Sequence, residues 1–141
     1  LGAILHGYCS DLTRTVFLGR ARAKLRSWYR AVWQAQQAAR SAIRPGAIAG
    51  EVDAQARRTL EQAGLSQWFT HSTGHGVGLE VHENPKLARG QKARLASGNV
   101  VTIEPGIYVR GVGGIRIEDD FVVTASGAEA LTSSPAELLE L

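Results

Sequence analysis

Four side chains of metal-binding types stand in separate parts of this sequence: Asp11, His75, Glu104 and Glu118. Taken singly, an acidic residue beside a turn is usually solvated, and a lone histidine is usually a surface or core residue. Glu104 and Glu118 differ, because each comes at the end of an apolar run. A carboxylate buried at such a place must be paired, coordinated or neutralised, since burying an isolated charge is costly. Metal coordination would satisfy that requirement.

The chemistry follows from the ligand types. Three carboxylates and one imidazole suit Mn²⁺, Co²⁺, Zn²⁺ or Fe²⁺, and the single cysteine excludes a thiolate-type structural zinc site. A carboxylate has two oxygens and can bridge two cations. Two metals about 3.5 Å apart would activate a shared water at neutral pH and polarise the carbonyl that it attacks. The residue types therefore favour hydrolysis of an amide.

The elements that must position these residues follow from the apolar pattern. Apolar residues recur every three or four positions over 21–43, and again from Val52 to a stop at Gly64, which predicts two successive helices. A short terminal helix is predicted from Ser134 to Leu138. Strands are predicted at 3–8, 12–18, 69–71, 74–78, 100–104 and 114–124. This order indicates an α+β fold with helices on one face of an antiparallel sheet.

Composition narrows the function classes. A chain of 141 residues predicts one domain, 1–141. The net charge of +3 is spread without single-signed tracts, so no nucleic-acid partner is expected. The densest basic stretch, from Arg20 to Arg30, is interpreted as a solvated helix face, with an anionic partner or a domain contact as the alternative. No apolar run reaches membrane-spanning length, so no membrane partner is expected. The single cysteine favours a cytoplasmic location.

Four blocks of the sequence are recognisable together. They run from Gly7 to Thr15 (GYCSDLTRT), His71 to Glu83 (HSTGHGVGLEVHE), Thr102 to Tyr108 (TIEPGIY) and Gly114 to Asp119 (GIRIED). In this order they resemble the pita-bread metallopeptidases, the superfamily of methionine aminopeptidase, aminopeptidase P, prolidase and creatinase. The histidine at 71 and the last two blocks are more similar to the proline-specific members.

The resemblance implies the pita-bread fold, a curved antiparallel sheet with helices packed on one face. This chain would be the C-terminal larger part of the catalytic domain that has this fold. It implies two divalent metal ions, with Mn²⁺ expected first and Co²⁺, Zn²⁺ or Fe²⁺ as alternatives. Asp11 and Glu118 would bridge the two ions, and His75 and Glu104 would complete the coordination of one of them. The expected substrate is a peptide with proline in the second position.

The implied mechanism is attack by a metal-bridging hydroxide on the carbonyl before proline, with Glu104 moving the proton. His82 would steady the developing oxyanion. His71 would bind the substrate around the scissile bond, and Tyr108 and Arg116 match positions near the substrate. For Arg116, a role in holding Glu118 is an equal alternative, because a guanidinium readily orients a carboxylate.

One ligand of the family pattern falls outside the chain. The pattern has an Asp-x-Gly aspartate eleven residues before the position of Asp11, and Gly2 occupies its glycine. The aspartate would therefore directly precede Leu1. We expect the catalytic domain to be truncated at its N-terminal side, and this chain alone to be inactive and to bind metal weakly and substoichiometrically.

Two other functions stay open from the sequence. The chain could come from a creatinase-like amidinohydrolase, or from a non-catalytic pita-bread module that serves protein interaction. The presence of all four in-chain ligands favours a metal-dependent peptidase, either an X-Pro dipeptidase or an X-Pro aminopeptidase. A homodimer is also expected from the resemblance.

Overall fold

A computed structural model describes all residues from Leu1 to Leu141. The two predicted helices are confirmed as α1 (Ala23–Ala42) and α2 (Ala49–Gln62), which pack against each other. Their buried faces follow the predicted apolar stripes, with Val32 and Leu60 fully buried. The chain leaves α2 at Gly64, whose φ of 69° is the left-handed conformation that glycine adopts freely. Neither helix is long and apolar enough to cross a membrane.

Eleven short strands complete the fold: β1 (Ile4–Leu5), β2 (Tyr8–Cys9), β3 (Val16–Phe17), β4 (Gly74–Gly76), β5 (Glu83–Leu87), β6 (Val100–Ile103), β7 (Gly106–Val109), β8 (Gly113–Arg116), β9 (Asp119–Thr124), β10 (Gly127–Ala130) and β11 (Leu139–Glu140). Five of them form an antiparallel sheet in the order β10-β9-β6-β4-β5. The predicted α+β class is confirmed.

Alternation along the central strands separates a core face from a polar face. In the β6–β9 register, Val101 lies opposite Phe121 and Thr102 lies opposite Asp120. Val101, Ile103 and Phe121 join the hydrophobic core formed with α1 and α2. Because successive side chains point to opposite faces of a sheet, Thr102 and Asp120 face away from the helices. The candidate ligands lie on that second face.

The strand predicted at 3–8 is a hairpin of β1 and β2 instead. His6 and Gly7, between the two strands, have φ values of 51° and 85°. Positive φ at two successive residues is the geometry of a two-residue hairpin turn. The strand predicted at 12–18 is also shorter, because regular pairing is limited to β3, which runs parallel to β11.

Two further strand predictions need correction. Residues 69–71 form no strand, since Phe69 follows the single 3₁₀ turn Ser66–Trp68. The run 114–124 is divided into β8 and β9, because β8 pairs with β7 whereas β9 pairs with β6 and β10. The prediction missed β5, β7, β10 and β11. Pro85 in β5 is a residue that strands accept at a sheet edge, which is where β5 lies.

The helix predicted from Ser134 to Leu138 is wrong. Carbonyl oxygens of this segment accept hydrogen bonds from elsewhere in the fold: those of Ser134 and Pro135 from Arg14, and those of Ala136 and Glu137 from the Tyr29 hydroxyl. So short a helix is hard to nucleate. Tertiary partners for its carbonyl groups hold the segment in a non-helical conformation.

The basic stretch at the start of α1 lies in solvent, as the favoured interpretation predicts. Arg20, Arg22, Lys24 and Arg30 are exposed, and Arg26 pairs with Glu140 at 2.5 Å.

Candidate metal centre

Three of the four predicted ligands meet on the polar face of the sheet. The ligand atoms of Asp11, His75 and Glu118 all lie within 4.8 Å of one another. His75 comes from the middle of β4, Glu118 from the break between β8 and β9, and Asp11 from the segment after β2. The fourth, Glu104, directly follows β6 and contacts His75. Four segments far apart in sequence therefore converge on one place.

The tautomer of His75 is decided by its neighbours. Its Nδ1 lies 3.0 Å from the carbonyl oxygen of Gly76, which can only accept, so the proton of the neutral ring is on Nδ1. The lone pair of Nε2 then points at Oε1 of Glu104, 3.2 Å away. Two acceptors at this distance need a proton or a cation between them. Burial lowers the pKa of His75, but the hydrogen bond with Glu104 and the nearby carboxylates outweigh it and raise the pKa.

Glu118 has one oxygen satisfied and one free. Oε2 accepts a hydrogen bond of 2.5 Å from the Thr13 hydroxyl, whereas the buried Oε1 has no partner in the protein. Burial raises the pKa of Glu118 from its ordinary 4.5 to about 7, and the carboxylates of Glu104 and Asp11 add to the rise. A buried, unpartnered carboxylate oxygen beside an imidazole lone pair is the donor arrangement that a divalent cation satisfies.

The glycines around His75 allow β4 to approach its neighbours closely. A Cβ at Gly74 would collide with the backbone of Thr102, and one at Gly76 would collide with the backbone of Asn84. The amide of His75 donates to the Thr102 hydroxyl at 3.1 Å. The glycine-rich run therefore places His75 tightly between two strands.

The predicted substrate residues are also brought together. His71 donates from Nδ1 to the Ser72 carbonyl at 2.8 Å, which leaves its Nε2 as an acceptor 3.2 Å from the Tyr108 hydroxyl. Arg116 donates to the same hydroxyl at 3.3 Å and, through Nε, to Thr13 at 3.0 Å. Hydrogen bonds thus connect His71 to Glu118 by way of Tyr108, Arg116 and Thr13.

His82 lies beside the ligand cluster. Its ring centroid is 4.3 Å from that of His75, and its side chain is on the exposed loop that precedes β5. Arg116 contacts the residues named in both of its predicted roles: it donates to the Tyr108 hydroxyl, and its Nε lies 4.0 Å from Oε2 of Glu118.

The surroundings of the ligand cluster also include two carboxylates, Asp119 and Asp120, and the guanidinium of Arg14. The sequence pattern predicted no role for these three residues. Asp120 is buried and accepts a hydrogen bond from the Asp11 amide at 2.9 Å, while its Oδ1 has no partner. Burial raises its pKa. Strand alternation could have found Asp120, because it lies two residues after Glu118.

Arg14 uses all five guanidinium hydrogens. They bind the carbonyl oxygens of Thr13, Glu118, Ser134 and Pro135 and the carboxylate of Asp119. The C-terminal segment is thereby tied to the backbone of Glu118. No local sequence signal predicts these contacts, because four of the five partners of Arg14 lie more than a hundred residues away.

Comparison with known proteins agrees with this geometry. Residues 1–125 match the model of metallopeptidase family M24. The chain belongs to that family. It is 45% identical over 139 residues to the Xaa-Pro dipeptidase of Pyrococcus furiosus, covering 99% of this chain and 40% of the relative.

Solved structures of the family superpose closely. A dipeptidase from Pyrococcus horikoshii matches with a TM-score of 0.97 and 46% identity, over 99% of this chain and 39% of that one. An X-Pro aminopeptidase from Thermotoga maritima matches with a TM-score of 0.96 and 37% identity, over 99% of this chain and 40% of that chain. The chain thus spans about 40% of the length of the relatives it matches. The predicted pita-bread fold is confirmed, and the family is one that uses divalent metal ions.

The raised pKa of Glu118 predicts how pH affects the metal-free chain. Between pH 4.5 and about 7 the folded state binds more protons at this carboxyl than the unfolded state does, so stability falls as pH rises. We expect the free energy of unfolding, measured in urea with a chelator present, to decrease from pH 5 to pH 8. Glu118 would contribute up to about 3 kcal/mol of that decrease.

Glu118→Gln is the matched variant, because it keeps an acceptor for Thr13 and cannot ionise. His75 and Asp120 shift in the same direction and remain in both proteins, so the difference between the two proteins reports Glu118 together with its electrostatic effect on the pKa of His75. Equal decreases in both proteins would contradict the assignment.

Proposed function

We propose that this chain is the catalytic part of a metal-dependent exopeptidase that hydrolyses the peptide bond before proline. Relatives that carry the name Xaa-Pro dipeptidase or X-Pro aminopeptidase support the substrate class. The observation that carries the proposal is the convergence of an imidazole lone pair and an unpartnered buried carboxylate oxygen, from His75 and Glu118, at one place.

In this proposal Asp11, His75, Glu104 and Glu118 bind two divalent metal ions. Asp11 and Glu118 would be shared between the two ions, and His75 and Glu104 would bind one of them. The ions, when bound, supply the Lewis acidity that activates water and polarises the substrate carbonyl. Mn²⁺ is our first expectation, because the donor set is rich in carboxylates.

Glu104 is suited to hold and move a proton. Its Oε1 lies 3.2 Å from His75, and its backbone amide is fixed by a hydrogen bond of 2.7 Å to the Thr73 carbonyl. A carboxylate with a fixed backbone and some access to solvent can take a proton from attacking water and pass it to the leaving nitrogen. His82, exposed beside His75, is placed to donate to the carbonyl oxygen as negative charge develops there.

The proline side of the substrate would meet the edge formed by His71, Tyr108 and Arg116. The exposed fraction is 39% for Tyr108 and 41% for the Arg116 side chain, so both offer hydrogen-bonding atoms to a ligand. In the arrangement described above, Nε2 of His71 is an acceptor and the guanidinium of Arg116 is a donor. An X-Pro dipeptide carries a carboxylate at its proline end, which matches the donor atoms of Arg116.

Several expectations stay predictions. The choice between dipeptidase and aminopeptidase, a homodimer, the absence of a nucleic-acid or membrane partner, and a cytoplasmic location all await direct measurement.

The activity is tested on the full-length protein loaded with Mn²⁺ or Co²⁺. We expect release of the first residue from X-Pro dipeptides or from peptides with proline second, and no release after chelation. Matched X-Ala peptides are the control, because they lack only the proline ring. Failure to cleave any X-Pro substrate, with metal verified as bound, would reject the proposal.

Two variants separate metal binding from substrate binding. Glu118→Gln removes a charge that both ions would share, so the metal content of both sites should fall together. His71→Ala should leave the metal content intact and raise KM about tenfold, a loss typical of one misplaced substrate contact. Elemental analysis and steady-state kinetics measure the two effects. The reverse pattern would reject the assigned roles.

A further inference from the structure

Outside the ligand cluster, α2 carries a buried ion pair that faces the site. Asp53 and Arg57 are one helical turn apart, and their side chains are only 1% and 15% exposed. Arg57 donates from Nε to Oδ2 of Asp53 at 2.7 Å and from Nη2 to Oδ1 at 3.0 Å. Both carboxylate oxygens are thus held by one guanidinium, which fixes its plane.

The guanidinium has hydrogens left over, and they reach the segment that follows α2. Nη2 donates to the carbonyl oxygen of His71 at 2.6 Å, and Nη1 donates to that of Phe69 at 3.2 Å. The guanidinium carbon also lies 4.4 Å from the centre of the Phe69 ring. That ring in turn meets the imidazole of His71 edge-on, with centroids 5.1 Å apart. Arg57 therefore contacts the backbone of His71 directly and its ring through Phe69.

Asp53 holds the other end of the same segment. Its Oδ1 accepts from the hydroxyl of Thr73 at 2.8 Å and from the Thr73 amide at 3.2 Å. The carbonyl oxygen of Thr73 accepts the amide hydrogen of Glu104 at 2.7 Å. The ion pair thus has contacts on both sides of Ser72, and through Thr73 it also reaches the backbone of a proposed metal ligand.

We propose that Asp53 and Arg57 are positioning residues that set the place of the His71 imidazole for substrate. The inference rests on the proposed function, in which His71 binds the substrate. A helix ion pair with only a stabilising role needs no more than opposite charges one turn apart. This pair also joins α2 to the segment that carries His71. The planar guanidinium of Arg57 holds two carboxylate oxygens and two carbonyl oxygens at once.

Arg57→Lys tests this arrangement, because a lysine keeps the charge beside Asp53 but lacks the planar fork. Arg58→Lys is the matched control, since Arg58 is the exposed neighbour on the same helix. The first readout is the NMR signal of the His71 ring in this chain, which has only four histidines. We expect this signal to shift in Arg57→Lys, because the Phe69 ring moves relative to it. In Arg58→Lys all four histidine signals should keep their wild-type positions.

The second readout is kinetic, in the metal-loaded full-length protein with an X-Pro substrate. Arg57→Lys should raise KM about tenfold, with kcat within about twofold and metal content unchanged. Loss of global stability alone would change neither the native-state NMR signal nor KM. Asp53→Asn serves as a second variant, since it keeps the shape and an acceptor for Thr73 while weakening the hold on Arg57. It should give the same shift of His71.

The outcomes separate the two proposals. A His71 signal that is unchanged in both Arg57→Lys and Asp53→Asn would overturn the positioning role, whatever the enzyme does. A shifted His71 signal with unchanged KM in an active enzyme would also overturn it. Absence of X-Pro hydrolysis in the wild-type protein would instead reject the proposed function, and the NMR comparison would still decide whether the ion pair positions His71.

Discussion

Burial of Glu118 with one oxygen unpartnered is the constraint on which the rest of the site depends. A carboxylate that is 2% exposed and only half satisfied is unfavourable in a folded protein unless a proton or a cation completes it. The surrounding contacts hold it in place. Thr13 binds the other oxygen, Arg14 binds the backbone carbonyl, and Arg116 approaches through Thr13. The structure therefore fixes a donor atom at the cost of apo-state stability.

The sheet makes this possible because one of its faces is apolar and the other is polar. One face of β6 and β9 closes the hydrophobic core against α1 and α2, which supplies the apolar burial that stabilises the domain. The other face can then hold a cluster of polar groups whose own energetics are unfavourable. The segment between α2 and β4 links the faces, because α2 packs into the core and also holds His71 through Asp53 and Arg57. Helix packing and site geometry are coupled there.

The sequence predicts the parts of this structure that depend on local pattern. Apolar periodicity located both helices, and strand runs located β4 and β6, which carry or immediately precede His75 and Glu104. The predictions failed where a distant partner decides the conformation. Residues 134–138 carry helix-start signals but are held in a non-helical conformation by Arg14 and Tyr29, and the run 114–124 is divided because β8 and β9 pair with different strands.

The same distinction applies to the site residues. His71, His75, Glu104 and Glu118 stand in recognisable motifs, whereas Asp53 and Arg57 act through contacts between segments that no motif joins. Their roles become visible only when hydrogen bonds and burial are known.

Anomalous diffraction from crystals of the chain soaked in Mn²⁺ would show directly whether these residues bind a metal ion. We expect a peak within bonding distance of Nε2 of His75, a carboxylate oxygen of Asp11 and the free Oε1 of Glu118. In a Glu118→Gln crystal the peak should be lost or strongly reduced. A peak that lies away from these three atoms, or no peak at saturating Mn²⁺, would contradict the account.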